Sequence, residues 1–157
     1  MTDRDTLQNA FLEDHRVVTR GLYDLQQAVD RDDLDTARRL AAELDRVAGP
    51  HMDFEQRYFY PMLVDVLGAD FVEELYAEHR SGQRAVAALC SIQDNSAIDR
   101  EELQDCLNVA MNHVLSCGSM TSHLASMTPE QQLQLRQQLD ATRREGRRWT
   151  ELNKETR

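Results

Sequence analysis

Four of the five histidines in this chain, His15, His51, His79 and His113, stand at positions of an apolar repeat where leucine would pack better. An imidazole in a core must have both ring nitrogens hydrogen-bonded or must bind something, because a buried polar group without a partner costs about 1–3 kcal/mol. Two of the four have a second donor one turn further on. His51 precedes Glu55 and His113 precedes Cys117, each at i, i+4 and therefore on the same helix face. The spacing thus predicts a metal site made of His15, His51, Glu55, His79, His113 and Cys117. Imidazole with carboxylate suits iron, manganese or zinc, and a thiolate shifts the preference toward softer ions.

The elements that must hold these groups are helical. Only six Gly and three Pro occur, in clusters, and no strand pattern is present. The first stretch, about 5–30, aligns Leu7, Phe11, His15, Val18, Leu22, Leu25 and Val29. The second, about 33–66, aligns Leu34 through Val66 and is interrupted at Gly49-Pro50, where the helix kinks or a new one begins; Pro61, preceded by Tyr58-Phe59-Tyr60, adds another bend. The third covers about 70–93 and the fourth about 99–126. Thr128-Pro129-Glu130-Gln131 has the form of an N-cap, a first-turn proline and a capping-box partner, so a fifth, polar helix starts near Pro129 and frays after Trp149. The fold class is all-α: an antiparallel up-down four-helix bundle over residues 1–128, followed by a short C-terminal helix and tail over 129–157.

Depth along such a bundle tests whether the histidines can meet. At 1.5 Å rise per residue, His15 and His51 lie about 16 and 20 residues from the first turn, Glu55 and His79 about 13 and 11 from the second, and His79 and His113 both about 17 from the third. All four belong to one layer at mid-depth.

The 157 residues make one domain with a formal charge of −10, which argues against nucleic acid and anionic membranes as partners. From Arg136 onward, seven basic side chains meet four acidic ones, so this tail carries +3 against −13 for the rest. Such a run is ordinarily a solvated helix end, and a protein partner with an acidic surface could touch it there. No apolar run is long enough to span a membrane, the first five residues lack a signal-peptide layout, and Cys90, Cys106 and Cys117 form no CxxC pair. A cytoplasmic location is expected.

The chain resembles the hemerythrin-like, or HHE cation-binding, family. The resemblance rests on Glu13-Asp14-His15-Arg16, on His51-Met52-Asp53-Phe54-Glu55 followed by Tyr58-Phe59-Tyr60-Pro61, on Glu78-His79-Arg80 and on His113; it covers about residues 7–127. It implies a bundle holding a non-haem di-iron centre in which histidines cap each iron and two carboxylates bridge them. It also implies reversible binding of O2, sensing of oxygen or redox state, or handling of nitric oxide. By position, His15, His51, His79 and His113 match the imidazole ligands and Glu55 one bridge. The second bridge falls where this chain has Cys117. Three outcomes follow: the thiolate binds one of two irons, the site holds a single iron or zinc, or the second metal is lost.

Among the remaining candidates, Tyr58 and Tyr76 stand three residues from Glu55 and His79, where a phenol could hydrogen-bond a ligand or bind ferric iron, although packing with a bonded hydroxyl is the commoner case. Glu13, Asp14, Asp53 and Glu78 flank ligand positions and are expected to be solvated, and His123 is a flank residue rather than a ligand. A non-haem iron protein that binds or senses O2, nitric oxide or redox state is the leading expectation. Its rivals are an enzyme reducing peroxide or nitric oxide with Cys117 involved, and a helical adaptor with a residual metal site.

Overall fold

A computed structural model describes residues 6–152; residues 1–5, on which the expected absence of a signal peptide and the first residue of the first stretch depend, lie outside it. The helices are α1 (Leu7–Asp30), α2 (Leu34–Phe54), α3 (Tyr60–Leu67), α4 (Ala69–Ser91), α5 (Arg100–Gly118), α6 (Thr121–Ala125) and α7 (Pro129–Glu145), with a π-helical turn, Glu55–Phe59, between α2 and α3. Their starts follow from local chemistry. The Thr6, Asp33 and Asp99 side chains accept backbone N–H groups three residues on, and Thr128 with Gln131 closes the expected capping box. Helix α1 packs on α2 and α5, and α4 packs on the same two, closing a ring of four.

Two boundaries differ from the sequence reading. No new helix starts at Pro50: α2 runs through it to Phe54, and the helix type changes only at the π turn just before Pro61. There the Tyr60 N–H bonds the Glu55 carbonyl, an i→i+5 step, and Pro61 has no N–H with which to resume the ladder. The fourth stretch also stops early, at Gly118. Beyond it the Ser119, Thr121 and Ser122 hydroxyls each bond a carbonyl three residues back, which competes with the helical ladder.

The core divides in two. One cluster is mainly aliphatic: Leu22 and Leu25 of α1, Leu44 of α2, Leu89 of α4 and Leu107 of α5 pack there with Trp149. The other is aromatic: Phe11, Phe54, Phe59, Tyr60 and Tyr76, with Leu135 and Leu139 from α7. The histidine layer lies between them, because His15, His51, His79 and His113 each fall on their helix between residues of the two clusters.

The C-terminal segment is packed onto the bundle. Arg143 bonds Asp14 at 2.9 Å and Arg57 joins the buried Asp53 to Glu145. Gly146, at φ 61°, ends α7. The chain then crosses Gly49, where the Arg147 carbonyl leaves no space for a Cβ, and inserts Trp149 beside Gly82. Residues 150–152, expected to fray, are instead held: Asp45 accepts from the Thr150 N–H at 2.8 Å and its hydroxyl at 2.9 Å, and Gln83 donates to the carbonyls of Trp149 and Leu152. The remainder of that expectation, residues 153–157, lies outside the described residues. Among the described residues, no helix is long and apolar enough to cross a membrane.

Candidate metal centre

The donor layer is built around Glu55. It is the last α-helical turn of α2 passing into the π turn that sets this carboxylate in the bundle centre at 1% exposure. One oxygen, Oε1, lies 2.8 Å from His51 Nε2 and 3.9 Å from His79 Nε2. The other, Oε2, accepts from Cys117 Sγ at 2.8 Å and from the Tyr60 hydroxyl. Donor atoms of Glu55, His79 and His113 lie within 4.8 Å of one another, so a single cation can be reached by all three.

Two of the imidazoles, His113 and His79, are held from behind. His113 Nδ1 faces Glu78 Oε1 at 3.1 Å; an ionised carboxylate only accepts, so Nδ1 carries the hydrogen and Nε2 turns its lone pair inward. His79 Nδ1 meets the Gln56 amide at 3.1 Å, and Gln56 is itself fixed where the Tyr76 hydroxyl donates to its carbonyl at 3.0 Å. His15 and His51 differ from this pair. Their rings lie 5.8 Å apart, and the buried Nδ1 of each has no hydrogen-bond partner. His15 is also the one of the four that is only half-buried; it borders a groove between α1 and α5 lined by Leu12, Thr19, Val114, Leu115 and Gly118. A Cβ on Gly118 would stand 3.3 Å from His15 Nε2, so glycine gives this ring its space.

The electrostatics match a cation-binding cluster. Burial would push the Glu55 carboxyl up, but His51, then His79 and His113, outweigh it and hold it well below its usual range. Burial, followed by repulsion from His113, keeps His79 neutral, and burial with His51 lowers His15. The Cys117 thiol and the Tyr60 phenol are pushed up, first by burial and then by neighbouring negative charge.

The six sequence-derived donors therefore occupy one layer in two groups. Glu55, His79, His113 and Cys117 surround the Tyr60 hydroxyl, whereas His51 and His15 lie on the other side of Glu55. His123 lies on α6, outside the layer. Tyr76 is packed with a bonded hydroxyl, the commoner case expected for it, and the phenol that reaches the donors is one the sequence reading did not single out. Tyr58 stacks on Arg57 and Tyr76 holds Gln56, but the phenol inside the cluster belongs to Tyr60. Two flanking acids also differ from expectation: Asp53 is fully buried on Arg57, and Glu78 positions His113. The signal for Tyr60 is Pro61, whose missing donor permits the i→i+5 turn; the signal for Glu78 is only its place beside His79.

An all-α bundle with buried imidazoles and a carboxylate at mid-depth defines the class to which this protein belongs. The chain matches the hemerythrin HHE cation binding domain over residues 6–116, and it belongs to that family of metal-binding domains. No curated protein and no solved structure matches it. The matched span includes all four histidines and Glu55 and stops one residue before Cys117. The residues present fit a cation: three donors converge without exposure to solvent, and two further buried ring nitrogens stand without partners.

Proposed function

We propose that the protein holds non-haem iron through His15, His51, Glu55, His79, His113 and Cys117 and uses it to bind or sense a small diatomic molecule, O2 or nitric oxide, or a change of redox state. The supporting observation is the two-sided use of Glu55, with His51 on one oxygen and Cys117 on the other, because a carboxylate in that position can serve two neighbouring cations. Iron would supply an open coordination position and a one-electron redox change. The chain's own residues do the rest. His79 and His113 are locked by Gln56 and Glu78, so their side of the layer is rigid. His15 and His51 have no such support, and His15 borders the groove through which a small ligand can arrive.

Cys117 sustains a second reading, a non-haem iron enzyme reducing peroxide or nitric oxide, because its thiol touches Glu55 inside the same cluster. The third reading, an adaptor acting through the basic tail, is less well supported: Arg143 and Arg148 are engaged with Asp14 and Glu151. A cytoplasmic location remains part of the proposal and agrees with three unpaired cysteines.

Metal analysis of the purified full chain, with optical spectra in air and after reduction, tests the reading. Near-stoichiometric iron that is lost in His113→Ala is the expected result, and a wild-type protein without any transition metal overturns it. Turnover of peroxide or nitric oxide that Cys117→Ser abolishes at unchanged metal content would favour the enzyme.

A further inference from the structure

We infer that the Tyr60 phenol oxygen is itself a metal ligand and supplies the hard anionic donor that Cys117 cannot. This rests on the proposed metal site, but not on whether the protein is a carrier, a sensor or an enzyme.

Position is the first argument. The Tyr60 oxygen lies 3.1 Å from His79 Nε2, 3.0 Å from His113 Nε2 and 3.6 Å from Cys117 Sγ, and it is hydrogen-bonded to Glu55 Oε2. Donors at about 2.1 Å from one ion stand about 3 Å from their neighbours in its coordination shell. The phenol oxygen thus keeps the spacing of a fellow ligand to both imidazoles.

Hydrogen accounting is the second. The phenol has one hydrogen, directed to Glu55 Oε2, and the Glu78 carboxylate accepts from His113 Nδ1. The remaining lone pairs of the phenol oxygen therefore face the ring edges of His79 and His113, at 3.1 and 3.0 Å from their Nε2 atoms, where a cation between the two rings would meet them.

The backbone gives the third. In a regular α-helix the residue one turn beyond Glu55 is Phe59, four positions on. The π turn places Phe59 instead among Phe11 and Phe54, and lets Tyr60 reach the carboxylate. Such turns are rare and concentrate at functional sites. Here the turn brings this oxygen into the layer beside Glu55.

The chemistry is consistent with the substitution at position 117. Where the family resemblance calls for a second carboxylate, this chain has a thiol, which is softer and has one donor atom. A phenolate restores a hard oxygen and a negative charge next to Glu55. Forming the oxygen–metal bond breaks the phenolic O–H bond, and the proton leaves for solvent.

The test uses the full chain loaded with ferric iron, with metal content measured on the same sample. A visible phenolate-to-iron absorption whose resonance Raman spectrum carries tyrosine ring modes is expected. Tyr60→Phe should abolish those modes and weaken iron binding by about tenfold or more, while Tyr58→Phe keeps them. Stoichiometric iron without phenolate modes in the wild type overturns the inference and leaves the metal site standing. Absence of bound iron overturns both. The wild-type spectrum alone decides between these outcomes, whether or not Tyr60→Phe folds.

Discussion

The aliphatic and aromatic halves of the core meet the same histidine layer but are stabilised differently. In the aliphatic half, alanines and leucines of α1, α2, α4 and α5 interlock directly, and the C-terminal segment packs Trp149 among them beside Gly82 and Ala110. The aromatic half contains the π turn, the shortened α5 and the contact with α7, and it carries Tyr60 and Cys117 into the layer. The difference teaches that one half serves as a rigid base, whereas irregular backbone is concentrated where donor atoms must be aimed.

The strongest way to break this comparison is Trp149→Ala. It should cost about 3–5 kcal/mol, the range for losing a buried aromatic side chain, measured by urea unfolding of the metal-free chain, with no change in metal stoichiometry of the folded protein. If metal binding fell in proportion, the two halves would not be separable. An intermediate effect concerns the layer itself. His79 is held neutral when folded, whereas the unfolded chain protonates near its ordinary value of 6.5. Below that pH the unfolded state takes up more protons, so the metal-free protein should lose about 1.4 kcal/mol of stability per pH unit for this one group. Stability is fully present above 6.5 and declines as pH falls; a pH-independent urea midpoint between 7 and 5.5 would contradict a buried neutral imidazole. The smallest effect sharpens the role of α7. Thr128→Ala removes one side of the capping box and should cost about 1 kcal/mol, read as a lowered urea midpoint with the site spectrum unaltered.

Much of the layer was legible in the sequence because it depends on periodicity. Four helices with a histidine on each apolar face have few ways to bury those faces, and the i, i+4 partners Glu55 and Cys117 follow from the same period. Cap residues likewise act over three positions, so the starts of α2, α5 and α7 could be read locally. The roles of Tyr58, Tyr76, Asp53 and Glu78 could not be read this way. Whether an acid flanking a ligand is solvated depends on what stands opposite: Arg57 reaches Asp53 from one turn on, and His113 meets Glu78 from another helix.

The sequence by itself determined an all-helical chain, its caps and the depth at which donors gather, since these follow from a 3.6-residue period and hydrogen bonds spanning a few positions. Tertiary structure decided which tyrosine enters the cluster, where α5 stops and where Trp149 is seated. Phe59 packs against Phe11 and Phe54, and Pro61 lacks the donor that would continue a regular ladder. That packing depends on side chains far apart in the chain, and a local repeat does not contain it.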